Sequence, residues 1–168
     1  MSADEPVEVL DPAGCVVGVV PRAEMRARRL RHRCVFVVVL STDGQRVLAH
    51  RRADWKDIWP SRWDLAFGGV CAVGEGWDAA ARRELAEETG LIGVELTWRS
   101  QAAYADAHVD ELARLYSTIS DGPFTFADGE VAETEWAPRQ GLAAWCASRA
   151  VCPDSLAVVL AEVERWTS

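Results

Sequence analysis

The chain has no pair of cysteines in a CxxC spacing, no apolar run long enough to cross a bilayer, and no surplus of basic residues. Each absence removes a class of protein. The five cysteines, Cys15, Cys34, Cys71, Cys146 and Cys152, are odd in number and widely spaced. That fits buried free thiols in a reducing compartment better than a disulfide framework or a zinc site. The N-terminus, MSADEPVEVL, is acidic and lacks an apolar signal core, and the longest apolar run, Cys34 to Leu40, falls well short of a membrane span. A cytoplasmic protein with no membrane partner is therefore expected. The formal net charge of −8 gives the molecule a field that repels polyanions, which argues against a nucleic-acid polymer as partner. An acidic chain can still take a phosphorylated small molecule through a cation. Repeats, linkers and low-complexity segments are absent as well. What is present is apolar material, 49% of 168 residues, enough for one sizeable core and so for one domain over residues 1–168.

Two short strands, Val7 to Leu10 and Cys15 to Val20, flank the turn-like Asp11-Pro12-Ala13-Gly14 and predict a hairpin. The following PRAEMRARRLRHR holds six arginines and reads either as a helix or as an exposed basic connection, closing an N-terminal unit over residues 1–33. CVFVVVLS is the pattern of a strand buried on both faces, and Thr42-Asp43-Gly44-Gln45 turns it back into Arg46 to Arg51. A loop over Ala53 to Pro60, a strand over Trp63 to Val70, and strands over Glu95 to Tyr104, Leu112 to Ser120 and Val131 to Trp136 are expected, with Asp121-Gly122-Pro123 as a stop. Residues 139–168 predict C-terminal helices, Gln140 to Ser148 and Pro153 to Trp166, the second with Leu156, Val159, Leu160 and Val163 on its apolar face. Strands mixed with few helices point to an α/β or α+β layered domain with a mixed sheet.

The most informative segment is the helix expected over Trp77 to Thr89. Asp78 suits its first turn, Ala79-Ala80-Ala81 favour its propagation, and Gly90 suits a left-handed stop. Glu84, Glu87 and Glu88 then crowd its C-terminal end at i, i+3 and i+4 spacing and are expected to share one face. Like charges so placed repel by a few tenths of a kcal/mol per pair, and the partial negative charge of the helix end adds to this. Arg83 can pair with Glu87 but cannot neutralise three acids. A hard divalent cation, Mg²⁺ or Mn²⁺, takes such oxygen ligands and keeps waters free for a phosphorylated substrate. A merely solvated acidic face is the alternative.

The longer pattern, Gly69-x5-Glu75-x7-Arg83-Glu84-Leu85-x-Glu87-Glu88-x-Gly90-Leu91, resembles the Nudix box at every defined position. The resemblance, over residues 69–91, implies a loop-helix-loop metal site on an α/β/α sandwich with a mixed sheet. It also implies hydrolysis of a diphosphate linkage in a nucleoside diphosphate derivative or other organic diphosphate. By carry-over, Glu84, Glu87 and Glu88 would hold the metal, Arg83 would orient a glutamate by ion pairing, and Glu75 would support the loop or join the metal shell through water. Glu87 is the first choice for acting near the attacking water, with Glu111, Glu130 and Glu133 as candidates for a general base from a later loop. Gly69 would lie at the substrate, and a homodimer is the family-level expectation for assembly.

Upstream residues, His32, Arg51-Arg52, Lys56 and Trp59-Pro60-x-x-Trp63, resemble the branch that contains isopentenyl-diphosphate isomerase and its hydrolase-like relatives. In that isomerase a catalytic cysteine and a metal-binding histidine follow the WP motif, but here Gly68 and Val70 stand at those positions. Cys71 is out of register and reads as a small buried or loop residue. His32 and Glu111 match two further positions of the isomerase cluster, whereas Val109 stands where another carboxylate is expected. The complete box and the dismantled isomerase site together favour hydrolysis over isomerisation, with a non-catalytic diphosphate-binding module as the remaining rival. Arg52 and Lys56 are the candidates for gripping the diphosphate. His32 reads as a hydrogen-bonded scaffold residue, and Trp59 and Trp63 as scaffold packing, while Trp55 could stack a base or cover a pocket.

Overall fold

In the computed structural model, which describes residues 3–127 and 129–166, the chain opens with the expected antiparallel hairpin, β1 (Pro6–Leu10) and β2 (Val16–Pro21). The arginine-rich segment then forms a helix, α1 (Arg22–Arg28), which buries Met25 and ends at Arg29 in the left-handed region, φ 51°. Strand β3 (His32–Leu40) is the axis of everything that follows. Its Cys34, Phe36, Val38 and Leu40 enter one core and its Val35, Val37 and Val39 another. Burial on both faces is why this run is continuously apolar rather than alternating.

One edge of β3 pairs in parallel with β8 (Asp110–Ile119), which continues antiparallel into β7 (Thr97–Ala105). The other edge forks. Strand β4 (Arg46–Arg52) stays with β3 at only one position, Leu40 with Val47. It then pairs along its length with β9 (Val131–Pro138), and at His50 and Arg51 with β5 (Trp63–Asp64). The edge it leaves is taken by β6 (Phe67–Val70), antiparallel to Cys34 through Val37. The single strand expected over Trp63 to Val70 is therefore two, because Leu65 and Ala66 carry the chain from one arm of the fork to the other.

Helix α2 (Trp77–Thr89) covers the face of Val35, Val37 and Val39 with Ala80, Ala81 and Leu85. The opposite face is covered by α3 (Leu142–Ala147) and the C-terminal helical segment, through Trp145, Val158, Val159 and Val163. This is the expected α/β/α sandwich on a mixed sheet. A truncation such as Leu85→Ala in either layer costs about 2–5 kcal/mol in cores of this kind. The C-terminal helix departs from expectation, being wound as a π-helix over Ser155–Leu160 before α4 (Ala161–Val163). Wider winding changes which residues face inward, so Val158 and Val159 are buried while Leu156 is exposed. The segment is pinned by Ser155, whose hydroxyl donates to Asp64 (2.6 Å) and accepts the Leu65 N–H (3.0 Å). Among the described residues no helix is long and apolar enough to cross a membrane.

Candidate functional site

Helix α2 has the expected bounds, and Gly90 ends it at φ 75° with its N–H on the Ala86 carbonyl. Its three acids lie within one arc of the helix, as expected, but are not equally buried. Glu84 and Glu88 are buried in the same stripe as Ala81 and Leu85, whereas the Glu87 side chain is 56% exposed. The reason is helical geometry: Glu84 and Glu88 are one turn apart, while Glu87 lies about 100° round the axis from Glu88.

Two adjacent glycines of β6 make room for the buried pair. A Cβ on Gly69 would lie 2.8 Å from Glu84 Oε1, and one on Gly68 would lie 1.9 Å from the Val35 carbonyl oxygen. The Gly68 N–H donates to Glu88 Oε2 at 2.8 Å. Arg83 binds the other acids. It donates from Nε and Nη2 to the two oxygens of Glu75, both at 2.9 Å, and from Nη1 to Glu84 (2.8 Å) and Glu87 (3.1 Å). Glu75 also accepts the Ala72 N–H at 2.9 Å, which closes the loop before the helix. The Arg83 hydrogen bonds hold the Glu75 carboxyl below its ordinary value. Burial instead raises Glu84, despite Arg83, and raises Glu88 well above the usual range, with the Glu84 charge adding to the effect. Two buried carboxylates with an uncompensated tendency to protonate are hard oxygen donors suited to a divalent cation.

Glu88 and Gly69 open into a cavity held between the arms of the fork. Arg52, Lys56, Glu111 and Glu130 line it too, along with Arg22 and Arg26 of α1. The two expected phosphate grips are already engaged. Arg52 donates to the Ile58 carbonyl (3.2 and 3.1 Å) and faces Asp64 at 3.5 Å, and Lys56 is ion-paired with Glu130. Glu133 lies outside the cavity, paired at 3.0 Å with Arg51.

Glu111 sits on β8 in register with His32 and is buried. Burial pushes its carboxyl up to about 7. Among the described residues, the tight group of metal-ligand side chains is not the α2 acids but His32, Cys34 and Glu111, whose donor atoms lie within 4.8 Å of one another. His32 makes the scaffold hydrogen bond expected of it, from Nδ1 to the Leu30 carbonyl at 2.9 Å. Val109 is a buried apolar residue of the cavity wall.

Cys71 packs in the core beneath α2, where burial pushes its thiol up to about 12 and removes it as a nucleophile at neutral pH. Four of the five free cysteines are buried, Cys15 being exposed. Trp63 packs edge-on to Trp145 (5.4 Å between ring centroids), Trp59 packs against Tyr104 (6.4 Å), and Trp55 is exposed with the Lys56 ammonium over it.

Sequence reasoning missed three cavity residues: His50, stacked at 4.5 Å on Phe67, and the buried acids Asp64 and Asp154. The Asp154 carboxyl is raised well above its usual range by burial, and by the charges of Asp64 and Glu111. Nothing in their local sequence marks them, because they meet only where β4, β5 and the C-terminal segment close the fork.

Residues 30–152 match the NUDIX domain family. An uncharacterised Nudix hydrolase of Yersinia pestis is 35% identical over 150 residues, covering 89% of this chain and 81% of its own. The uncharacterised Nudix hydrolase YfcD of Escherichia coli strain K12 is 33% identical over 156 residues, covering 93% and 85%. Among solved structures, DR0079 from Deinococcus radiodurans superposes with a TM-score of 0.77 at 23% identity, covering 96% of this chain and 98% of its own. The NUDIX domain of Shewanella oneidensis NrtR, complexed with ADP ribose, gives a TM-score of 0.66 at 20% identity, covering 88% and 100%.

Proposed function

The chain belongs to the Nudix family, and from that premise we propose that it is a Mg²⁺- or Mn²⁺-dependent hydrolase of a small nucleoside or other organic diphosphate. The observation that carries this reading is the buried Glu84–Glu88 pair, seated against Gly69 and Gly68, with Glu88 opening on the cavity. Glu84, Glu87 and Glu88 would hold the cation, Glu87 from the rim. The chemistry supplied by a bound Mg²⁺ or Mn²⁺ is charge neutralisation on the phosphate oxygens during in-line attack by water. Arg83 fixes the positions of Glu75, Glu84 and Glu87 through its fork of donors. Lys56 and Arg52 line the path of the diphosphate, which competes with Glu130 for the Lys56 ammonium. Of the candidates for proton acceptor, Glu87 at the rim, Glu111 beside His32 and Cys34, and Glu130, our proposal favours Glu130, because it lines the cavity with Glu88 and would be released by the diphosphate from Lys56.

We take residues 1–168 as one domain because Val7 and Met25 at one end and Val159 and Val163 at the other join the same core as β3. Of the isomerase-containing branch we retain only the hydrolase-like side. Gly68 has no room for a nucleophilic side chain, Val70 is buried and apolar, and Cys71 lies in the core under α2. The homodimer is tested by sedimentation at two protein concentrations.

The enzyme is tested by incubation with Mg²⁺ and a panel of nucleoside, sugar, dinucleotide, ADP-ribose and isoprenoid diphosphates, following phosphate products and isomers. Hydrolysis that is lost in Glu88→Gln supports the proposal. Isomer formation without phosphate release, or binding without turnover across the panel, sinks it.

A further inference from the structure

One wall of the cavity joins three distant stretches of chain through a single carboxylate. Strand β5 pairs with β4 so that Asp64 stands opposite His50. Arg52, two residues on, leaves the same face of β4 as His50, which makes it the diagonal cross-strand neighbour of Asp64 and brings its long side chain within reach. Asp64 Oδ2 lies 3.5 Å from Arg52 Nη1. Its other oxygen, Oδ1, accepts the Ser155 hydroxyl at 2.6 Å, and the oxygen of that hydroxyl accepts the Leu65 N–H at 3.0 Å. The segment leading to Ser155 is laid along β5. The Trp63 N–H donates to the Ala150 carbonyl at 2.9 Å and the Cys152 N–H to the Trp63 carbonyl at 2.8 Å. Asp64 and Ser155 are both buried, so their contact is not loosened by water.

The way Arg52 is tied matters for an anion in the cavity, whose wall it shares with Asp64. Its Nε and Nη2 both donate to the Ile58 carbonyl, at 3.2 and 3.1 Å. Nη1 faces Asp64 at a distance longer than the roughly 2.7–2.9 Å of a charge-assisted hydrogen bond. The carboxylate therefore holds the guanidinium by its charge and leaves the Nη1 hydrogens for a phosphate oxygen. The Arg52 side chain is only 16% exposed, and a cation so placed must have a counter-charge. Glu88 and Asp154 also act on it. Loss of the Asp64 charge would pull the guanidinium toward those acids and away from the substrate, because the donors of arginine move together as one rigid plane.

We propose that Asp64 is a positioning residue for the diphosphate, acting through Arg52, and that Ser155 of the C-terminal segment sets the position of Asp64. The grip on the substrate thus depends on a hydrogen bond between residues 91 apart in the chain. The proposal rests on the reading of Arg52 as a diphosphate grip, and it requires neither Asp64 nor Ser155 to touch the substrate.

Calorimetry of inorganic pyrophosphate binding to the full-length protein in Mg²⁺ tests it, on the wild type, Asp64→Asn, Arg52→Gln and the double variant, beside KM and kcat for any diphosphate that turns over. Asp64→Asn keeps the shape and loses the charge. It should weaken pyrophosphate binding and raise KM about tenfold while kcat changes less than about threefold. In the Arg52→Gln background the same change should add less than about twofold, since the two residues act as one unit. Asp64→Glu, which restores the charge, should recover part of the loss. Ser155→Ala removes only the anchor and should weaken binding about threefold; it carries the test if Asp64→Asn fails to fold. Wild-type binding in Asp64→Asn or in Ser155→Ala, or losses that simply add to that of Arg52→Gln, overturn the positioning role. Wild-type binding in Arg52→Gln overturns the grip itself and the relay with it. The binding arm decides without turnover, so a failure of hydrolysis is read separately.

Discussion

The protein buries two groups of titratable side chains beside one cavity, which Glu88 of the first and Cys34 and Glu111 of the second reach, and they are made in opposite ways. On α2, Glu84 and Glu88 come from one turn of one helix, and Arg83 and the neighbouring glycines sit in the same short box. Behind them, Glu111 is joined to His32 and Cys34 only through the parallel register of β8 with β3. The helix group uses oxygen donors and already has an arginine woven into it, whereas the strand group mixes nitrogen, sulfur and oxygen and leaves two buried atoms unpartnered. Similar burial thus produces two different chemistries. Local spacing gathers the first group and sheet register gathers the second.

The sharpest way to break that contrast is to neutralise one acid in each group. Glu88→Gln should reduce kcat for diphosphate hydrolysis on the order of 10³-fold or more, whereas Glu111→Gln should cost less than about tenfold. Steady-state kinetics in saturating Mg²⁺ check this, and equal losses would merge the two groups into one site.

Next in size are the glycines that seat the helix acids. Gly68→Ala drives a methyl into the Val35 carbonyl, backbone against backbone, and should destabilise the fold by about 3 kcal/mol or more. Gly69→Ala meets only the movable end of Glu84, so it should cost about 1 kcal/mol in stability while weakening Mg²⁺ binding about tenfold. Chemical denaturation and metal titration separate the two effects.

A smaller effect should appear in the pH dependence of stability without metal. Glu84, Glu88 and Glu111 bind protons more tightly in the folded protein than in the unfolded chain. The folded state therefore holds more protons, and its stability falls as pH rises above the ordinary glutamate value, with Glu111 completing its contribution beyond about 7. A proton held tenfold more tightly by the folded chain is worth about 1.4 kcal/mol. Denaturation in chelator from about pH 5 to about pH 8 should show this decline, and Mg²⁺ should flatten the part that belongs to α2.

The smallest change is expected at Cys71. Cys71→Ala should leave kcat/KM within about twofold and lower stability by about 1 kcal/mol, as for any small buried truncation. A large loss of activity would restore the thiol as a participant.

The box is legible in the sequence because its residues are close together: Gly69, Glu75, Arg83, Glu84 and Gly90 each act on neighbours within one loop and one helix. The inward position of Glu88 and the outward position of Glu87 are less so, although the helical period contains them, because repulsion among three acids depends on their spacing and says little about their angle. Strand β3 is legible from its unbroken apolar run. The division of Trp63 to Val70 is not, since each half takes its meaning from a different pairing partner. The π-helical turn is likewise hidden, because the Ser155 contact that accompanies it depends on Asp64 in a distant strand.

By itself, the sequence determined the hairpin, the buried central strand, the helix with its glycine stop and the acid-rich box, all features written in short-range periodicity, propensity and spacing. Only the tertiary structure decided which acids face the cavity, that Arg52 and Lys56 are already engaged, and that His32, Cys34 and Glu111 meet. Those facts depend on the forking of the sheet and on the register between strands far apart in the chain, where the free energy of packing, not local preference, chooses the neighbours.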